Sequence, residues 1–183
     1  MAIDVTFGDE RALVSACKAG EEAALRSFYD RFFPPVFRYV LASIGHHHDA
    51  EDIATDVFVK AFRAVGTFED QSRPVTAWLF RIARNEIIDH LRRRGRRIAA
   101  TSMDQPQQIE RRERYDPMEV KGLLMDLSSA LDALPGAHRE AVLLRMVAGL
   151  STREAATVMQ IPEGTLRSHL HFGVKALREA MER

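Results

Sequence analysis

The spacing of apolar residues along the chain predicts helices and gives no convincing strand. The clearest helix lies within residues 78–97, where Phe80, Ala83, Ile87 and Leu91 recur at three- and four-residue intervals and form one apolar stripe. The opposite side of this helix is aromatic, amide-bearing and basic, with seven arginines in the same range. Such a face suits a phosphate backbone and an unstacked base better than a small metabolite. The alternative interpretation is a solvated basic helix that packs through its apolar stripe.

Earlier segments of the chain predict three further helices. The second of these contains Pro34 and Pro35, which are expected to break or kink it. The third spans residues 49–65 and concentrates acidic side chains near its N-terminus, where carboxylates interact favourably with the helix dipole. The three histidines at 46–48 are predicted to form a solvated turn, because adjacent histidines splay apart and no fourth metal ligand is evident.

The apolar periodicity fails between residues 98 and 118, where polar residues, prolines and mixed charges are typical of a linker. This segment divides the chain into an N-terminal domain, residues 1–97, and a C-terminal domain, residues 119–183. The predicted fold class is therefore all-α, with two small helical domains joined by a flexible linker.

The C-terminal domain contains the pattern of a helix-turn-helix. Ser151 and Glu154 match a capping box that opens a short helix, and a turn at 160–164 leads into a longer helix. The longer helix has an apolar band that is predicted to be buried. Its members are Leu166, Leu170, Val174, Leu177 and Met181. The other side exposes arginine, serine and histidine, which predicts a DNA-reading helix; the alternative is an ordinary helical hairpin.

Composition and charge limit the classes of protein to which the chain can belong. It has 183 residues, 46% of them hydrophobic and 28% charged, which is the balance of a soluble globular protein. The formal net charge is zero, but acidic and basic residues fall in separate stretches, so a nucleic-acid partner is not excluded. Cys17 is the single cysteine, which excludes an internal disulfide and a cysteine-built zinc site. No apolar run has membrane length and no signal peptide is evident, so we expect a cytoplasmic protein without membrane insertion.

No pattern of catalytic residues accompanies these features. The sequence has no glycine-rich phosphate loop, no metal-ligand spacing and no plausible pair of nucleophile and base. We therefore expect a protein that is not an enzyme and that needs neither a cofactor nor a metal. One alternative stays open, a one-component regulator that binds duplex DNA through the helix-turn-helix and uses its N-terminal domain as a sensor. That class leaves the acidic helix and the face around Trp78 unexplained.

Two sets of motifs resemble bacterial sigma factors. The run Asp-Ala-Glu-Asp at 49–52 and the run Trp-Leu-Phe-Arg-Ile-Ala-Arg-Asn at 78–85 are similar to their second region. The segments similar to their fourth region are the Leu-Pro pair at 134–135, His-Arg-Glu at 138–140, Leu-Ser at 150–151, Glu-Ala-Ala at 154–156 and Gly-Thr-Leu-Arg-Ser at 164–168. Both sets occur in the family's order and together span nearly the whole chain. With its compact two-domain plan, the chain resembles the extracytoplasmic function (ECF) class.

This resemblance implies two binding surfaces in the N-terminal domain. An acidic face on the third helix would dock on the coiled-coil clamp of the largest subunit of core RNA polymerase. The members of the acidic face are Asp49, Asp52, Thr55, Asp56 and Val59. A minus-ten face would capture a base flipped from the non-template strand of melted promoter DNA and hold the melted edge. The members of the minus-ten face are Phe68, Trp78, Arg81, Arg84, Asn85, Asp89, Arg92 and Arg93.

A third implied surface, the minus-thirty-five face, lies on the last helix and would enter the major groove of duplex promoter DNA. The members of the minus-thirty-five face are Thr165, Arg167, Ser168, His171, Lys175 and Arg178. Arg167, Ser168 and His171 are the candidates for contact with base edges. Lys175 and Arg178 are the candidates for contact with phosphates.

The chain departs from the family's pattern at four positions. Thr55 and Asp56 stand where the family often has Gln-Glu, and His169 and Phe172 stand where it tends to carry arginines. An exposed Phe172 has two interpretations, contact with a thymine methyl group or packing in an inhibited state. The ECF class also implies a regulatory partner, an anti-sigma protein that wraps or wedges between the two domains.

Overall fold

A computed structural model describes residues 10–69, 74–101 and 129–182 of the chain. Within these ranges every regular element is a helix, which confirms the all-α fold class. Most of the predicted linker falls between 101 and 129 and lies outside the described residues, so its extent stays a prediction. None of the helices described is both long and apolar enough to cross a lipid bilayer.

The N-terminal region consists of four helices around one core. Their bounds are α1 Glu10–Lys18, α2 Glu22–Ile44, α3 His47–Ala64 and α4 Val75–Thr101. A short 3-10 turn, Val65–Thr67, follows α3. The helix α4 continues four residues beyond position 97, into the stretch that the sequence assigns to the linker.

The sequence predicts that Pro34 and Pro35 break or kink α2, and a break is wrong, because one helix runs through both residues. A proline inside a helix removes a backbone donor and crowds the carbonyl four residues earlier. Here those carbonyls belong to Asp30 and Arg31, which are exposed, so water can satisfy them. Packing of the neighbouring aromatic side chains offsets the remaining cost.

Aromatic rings fill the centre of this region. The ring centroid of Phe28 lies 4.7 Å from that of Phe32, 6.3 Å from Phe58 and 5.9 Å from Phe62. Tilted and edge-on pairs of this kind contribute about 0.5–1.5 kcal/mol each beyond the burial of area. The lone Cys17 borders the same cluster, and burial raises the pKa of its thiol, so the reactive thiolate is disfavoured.

The start of α3 differs from the predicted solvated turn. His46 is the N-cap, and its Nδ1 accepts a hydrogen bond of 3.3 Å from the backbone N–H of Asp49. His47 and His48 already belong to the helix and lie 3.6 and 3.7 Å from the carboxylates of Glu51 and Asp52. An imidazole that caps the first turn therefore extends the helix by two residues at this end.

The C-terminal region contains the predicted helix-turn-helix. Residues 129–133 are helical, and three further helices follow. These are α5 Gly136–Val142, which continues as a π-helical turn over Leu143–Val147, then α6 Thr152–Met159 and α7 Glu163–Met181. The capping box at the start of α6 is confirmed, since Ser151 and Glu154 bond to each other's backbone N–H groups. The turn is closed by Gln160, which adopts a φ of 59°.

The predicted apolar band of α4 is largely buried, whereas most of the band of α7 is only half-buried against the core. On α4, Phe80, Ala83 and Ile87 are in the core, but Leu91 is 45% exposed. On α7, Leu166 is fully buried, whereas Met181 is 48% exposed near the end of the helix. Both exceptions lie at the far end of a long helix, where it extends beyond the body that covers it.

Candidate nucleic-acid interface

The acidic face forms one exposed strip along α3. Asp52, Thr55, Asp56 and Val59 are all exposed, while Ile53, Ala54, Val57 and Phe58 between them are buried. This division follows from the 3.6-residue period of the helix. Val59 is 41% exposed and places an apolar spot beside the carboxylates. The strip therefore offers both charge and a small apolar contact to a partner.

Asp49 differs from the other members of the acidic face because it is half-buried between two imidazoles. Its Oδ2 lies 3.5 Å from His46 Nδ1 and 3.5 Å from His90 Nε2. His90 belongs to α4, so this carboxylate also links α3 to α4. We infer that Asp49 positions the strip and that Asp52 and Asp56 present its free charge.

The minus-ten face is graded in exposure along α4. Trp78, Arg81 and Arg84 are half-buried near the start of the helix. The remaining four members beyond them are exposed, namely Asn85, Asp89, Arg92 and Arg93. Asp89 lies 3.9 Å from Arg92 in an exposed ion pair, which has little energetic weight and leaves both groups available.

Phe68 differs from the other members of the minus-ten face because its side chain is buried. Its ring is 5% exposed and packs against Trp78, with centroids 5.0 Å apart. Lys18 Nζ donates a hydrogen bond to the Phe68 carbonyl and lies 5.9 Å from the ring centroid. Because α1 and α4 both hold it, Phe68 has a packing role in this structure, and it braces the indole of Trp78.

A buried carboxylate joins the acidic and minus-ten faces. Glu86 on α4 is the buried charged residue of the described ranges, and it accepts a hydrogen bond from Lys60 Nζ on α3. A carboxylate is rarely buried without a cationic partner, since its desolvation is costly. The pair therefore fixes α3 against α4, and sequence periodicity alone gave no sign of it.

All six members of the minus-thirty-five face are exposed on α7. Arg167 and Lys175 each have one carboxylate partner on the same helix, Glu163 at 3.2 Å and Glu179 at 3.9 Å. Phe172 is 55% exposed on the edge of this face. Its ring stacks on His138 with centroids 6.0 Å apart and meets the ring of His171 edge-on at 5.4 Å, so the phenyl ring is held on α7 while it stays accessible.

Gly173 is a structural requirement that the sequence reading missed. A methyl group at this position would lie 2.8 Å from Val142 Cγ2 and 3.2 Å from the His138 carbonyl oxygen. The absence of a side chain therefore lets α7 approach α5 closely enough to present its outer surface at this angle. The available signal was a glycine inside an otherwise regular helical pattern.

Replacing this glycine should destabilise the C-terminal region. We expect Gly173→Ala to lower the free energy of unfolding by about 1–2 kcal/mol, because overpacking outweighs the helix propensity gained. Urea denaturation followed by circular dichroism measures the change. The matched control is Gly164→Ala at an open position of the same helix, which should be neutral or stabilising. Equal stability of Gly173→Ala and the parent chain would contradict the close approach.

The two regions share one apolar core cluster, which includes Phe80 and Leu144, and they also contact each other through charged groups. Arg84 donates to both carboxylate oxygens of Glu140, with Nη2 3.3 Å from Oε2. The hydrogen bond with Glu140 raises the pKa of the Arg84 guanidinium, which stays charged. Burial, and then the nearby Glu140 carboxylate, raises the pKa of the Tyr39 hydroxyl beneath this pair well above its ordinary value. Tyr39 is therefore neutral throughout the ordinary pH range.

Comparison with known proteins assigns both regions to described families. The family "Sigma-70 region 2" matches residues 28–97, and "Sigma-70, region 4" matches residues 124–177. The ECF RNA polymerase sigma factor SigL of Mycobacterium tuberculosis is 35% identical over 173 residues, which cover 93% of this chain and 96% of SigL. This relative corresponds to the chain over nearly its whole length.

Solved structures agree with the fold. CnrH in complex with the cytosolic domain of CnrY has a TM-score of 0.74 at 23% identity, covering 94% of this chain and 96% of that one. The sigma factor RpoE of Bartonella quintana, in complex with the anti-sigma factor NepR, has a TM-score of 0.70 at 26% identity. This second similarity covers 86% of this chain and 96% of RpoE.

Proposed function

The chain belongs to the ECF class of RNA polymerase sigma factors, and we propose that its acidic face binds core polymerase while its two other faces select the promoter. The observation that carries this assignment is the separation of charge on one rigid body. The exposed acids of α3 and the exposed arginines of α4 lie on helices that Lys60 and Glu86 hold together. Polymerase and melted DNA would then bind to adjacent helices of the same region.

The acidic face suits a basic, helical partner surface. Asp52 and Asp56 are one turn apart and exposed, and Val59 continues the strip. Charge complementarity of this kind accelerates association and fixes the register of a complex more than it adds affinity. Val59 would supply an apolar contact at the C-terminal end of this small patch.

The minus-ten face suits a melted strand. Trp78, with Phe68 packed behind it, offers an aromatic surface near the start of α4. Stacking of a base on an aromatic side chain contributes roughly 1–3 kcal/mol, which is comparable to the cost of unstacking it. A few contacts of this size favour the open form of the promoter without nucleotide hydrolysis.

The minus-thirty-five face suits the major groove, because α7 is the second helix of the helix-turn-helix and is exposed along its outer side. Arg167, Ser168 and His171 would reach base edges, while Lys175 and Arg178 would contact phosphates. Thr165, at the start of the helix, would help to position it on the backbone. Phe172 would lie at the edge of the groove.

In this proposal the chain directs core polymerase to the promoter, and the polymerase catalyses RNA synthesis. Cytoplasmic location, where core polymerase and promoter DNA are found, follows from that role. The B. quintana relative was solved with an anti-sigma factor bound. We propose a regulator of the same class for this chain, and its binding would compete with the partners of the acidic and minus-ten faces.

Run-off transcription with purified core polymerase on a library of genomic promoters tests the proposed function. Specific transcripts that share two spaced promoter elements, and that require this protein, are the expected result. A protein that leaves core polymerase unbound and inactive but still shifts duplex DNA would instead be a one-component regulator.

Within that assay, Asn85→Ala should affect promoter opening more than promoter recruitment. The variant loses an exposed amide whose hydrogen bond to an unpaired base is worth about 0.5–1.5 kcal/mol, or roughly a twofold to tenfold loss of open complex. Permanganate reactivity of unpaired thymines measures opening, and a gel shift measures recruitment. A template with a pre-melted bubble is the control and should restore transcription. An equal loss of recruitment would refute the assignment of Asn85 to melting.

A further inference from the structure

The contact between the two regions uses a residue of the minus-ten face. Arg84 and Glu140 form a two-point pair in which the side chains are only 26% and 22% exposed. Guanidinium–carboxylate pairs with two parallel hydrogen bonds are strong and directional. Because α4 supplies one partner and α5 the other, this pair adds a directional contact to the apolar packing between the N-terminal and C-terminal regions.

The residue next to Glu140 strengthens the same contact. Arg139 Nη2 donates to the carbonyl oxygens of Ala42 and Ser43 at 3.1 and 3.3 Å, in the last turn of α2. A cation is favoured at a helix C-terminus, where the last carbonyls have no partner in the helix. Asp132 Oδ1 lies 3.1 Å from the same guanidinium group and orients it. Two adjacent residues of α5 thus bind two different helices of the N-terminal region.

This arrangement is incompatible with simultaneous use of both DNA-binding faces. Elements centred near −10 and −35 are about 25 base pairs apart, or about 85 Å along B-form DNA at 3.4 Å per base pair. Two touching regions of this size have centres only about 30 Å apart. In addition, α4 packs against α6, the first helix of the helix-turn-helix. The described arrangement is therefore a closed form that must open on the promoter.

We propose that the Arg84–Glu140 pair is a latch that holds this closed form, and that Arg84 exchanges Glu140 for a promoter phosphate when the chain opens. The inference rests on the proposed function, since the exchange requires promoter DNA. An ion pair is suited to this role because opening of the closed form returns both charges to water. Their hydration then offsets much of the attraction that is lost. When only a fraction of a protein is in its binding-competent form, its apparent affinity for the partner is reduced in proportion to that fraction. Closure therefore lowers the activity of the free chain.

The test compares Glu140→Gln, which keeps the shape of the side chain but removes its charge, with the parent full-length chain. Small-angle X-ray scattering should give a larger radius of gyration for the variant. Transcription with core polymerase at limiting protein should rise by about twofold to tenfold. Glu22→Gln is the matched control, since it breaks an exposed pair with Arg26 on α2 alone and should change neither quantity.

Two further variants test the same latch. Arg139→Gln should also expand the chain, and the exchange Arg84→Glu with Glu140→Arg should restore compactness while lowering transcription, because the cation has left α4. An unchanged radius of gyration for Glu140→Gln, or expansion without increased transcription, would overturn the latch. The proposed function is judged separately, by whether the parent chain with core polymerase yields promoter-specific transcripts at all.

Discussion

Reversing two charges on the acidic face should abolish most of the affinity for core RNA polymerase. We expect Asp52→Lys with Asp56→Lys to weaken binding by about 30- to 1000-fold, because two attractions become repulsions worth about 2–4 kcal/mol together. Both residues are exposed, and neither supports the core, so the fold should persist. Fluorescence anisotropy of labelled protein titrated with core polymerase measures the dissociation constant.

A control for this variant must change the net charge by the same amount at positions outside the acidic face. Glu22→Lys with Asp30→Lys on α2 does so at two exposed positions outside the proposed faces. This control should bind polymerase like the parent chain, and the difference between the two variants should shrink at high salt. A similar loss of affinity in both variants would mean that the overall charge, and not the acidic face, determines binding.

Loss of Arg167 should remove sequence discrimination at the upstream element. We expect Arg167→Ala to lower the affinity for the preferred duplex by about 1–3 kcal/mol, or roughly fivefold to 150-fold, with little effect on unrelated sequences. The reason is that a guanidinium can make two hydrogen bonds to one guanine edge in the major groove. Competition binding with a set of single-base variants of the upstream element measures the change.

Lys175→Ala is the informative comparison on the same helix. A lost phosphate contact should weaken binding to all duplexes about equally and reduce the slope of affinity against salt by about one unit. Arg167→Ala should instead keep most of that salt dependence and lose its preference for the upstream element over unrelated sequences. If the two variants behaved alike, the division of α7 into base-reading and phosphate-binding residues would be wrong.

Features that depend on local sequence were predictable. The period of apolar residues marked the buried sides of α3 and α4, because amphipathic helices bury one stripe regardless of their partner. The capping box at Ser151 was equally clear, since both of its hydrogen bonds lie within four residues. The exposure of the acidic and minus-thirty-five faces was also predictable from the apolar period, because their exposed members lie on the side of the helix away from the buried stripe. These placements required no knowledge of how the helices pack.

Features that depend on distant partners were not predictable in this way. Arg84 and Phe68 look like surface residues on a helical wheel and in a loop, yet the first pairs with Glu140 and the second packs on Trp78. The pairing of Lys60 with Glu86 also joins residues 26 positions apart. The unbroken α2 belongs to the same class, since tertiary packing overrides the local penalty of Pro34 and Pro35.

Neighbouring positions on α7 differ in how freely they can change during evolution. Phe172 is 55% exposed, so its replacement alters the surface of the helix without disturbing the core. Gly173 has Val142 and His138 directly above it, so almost any replacement moves the whole helix. Under the proposed function, promoter preference can therefore change through a single substitution at Phe172. The angle at which α7 would meet DNA is instead fixed by the close packing at Gly173.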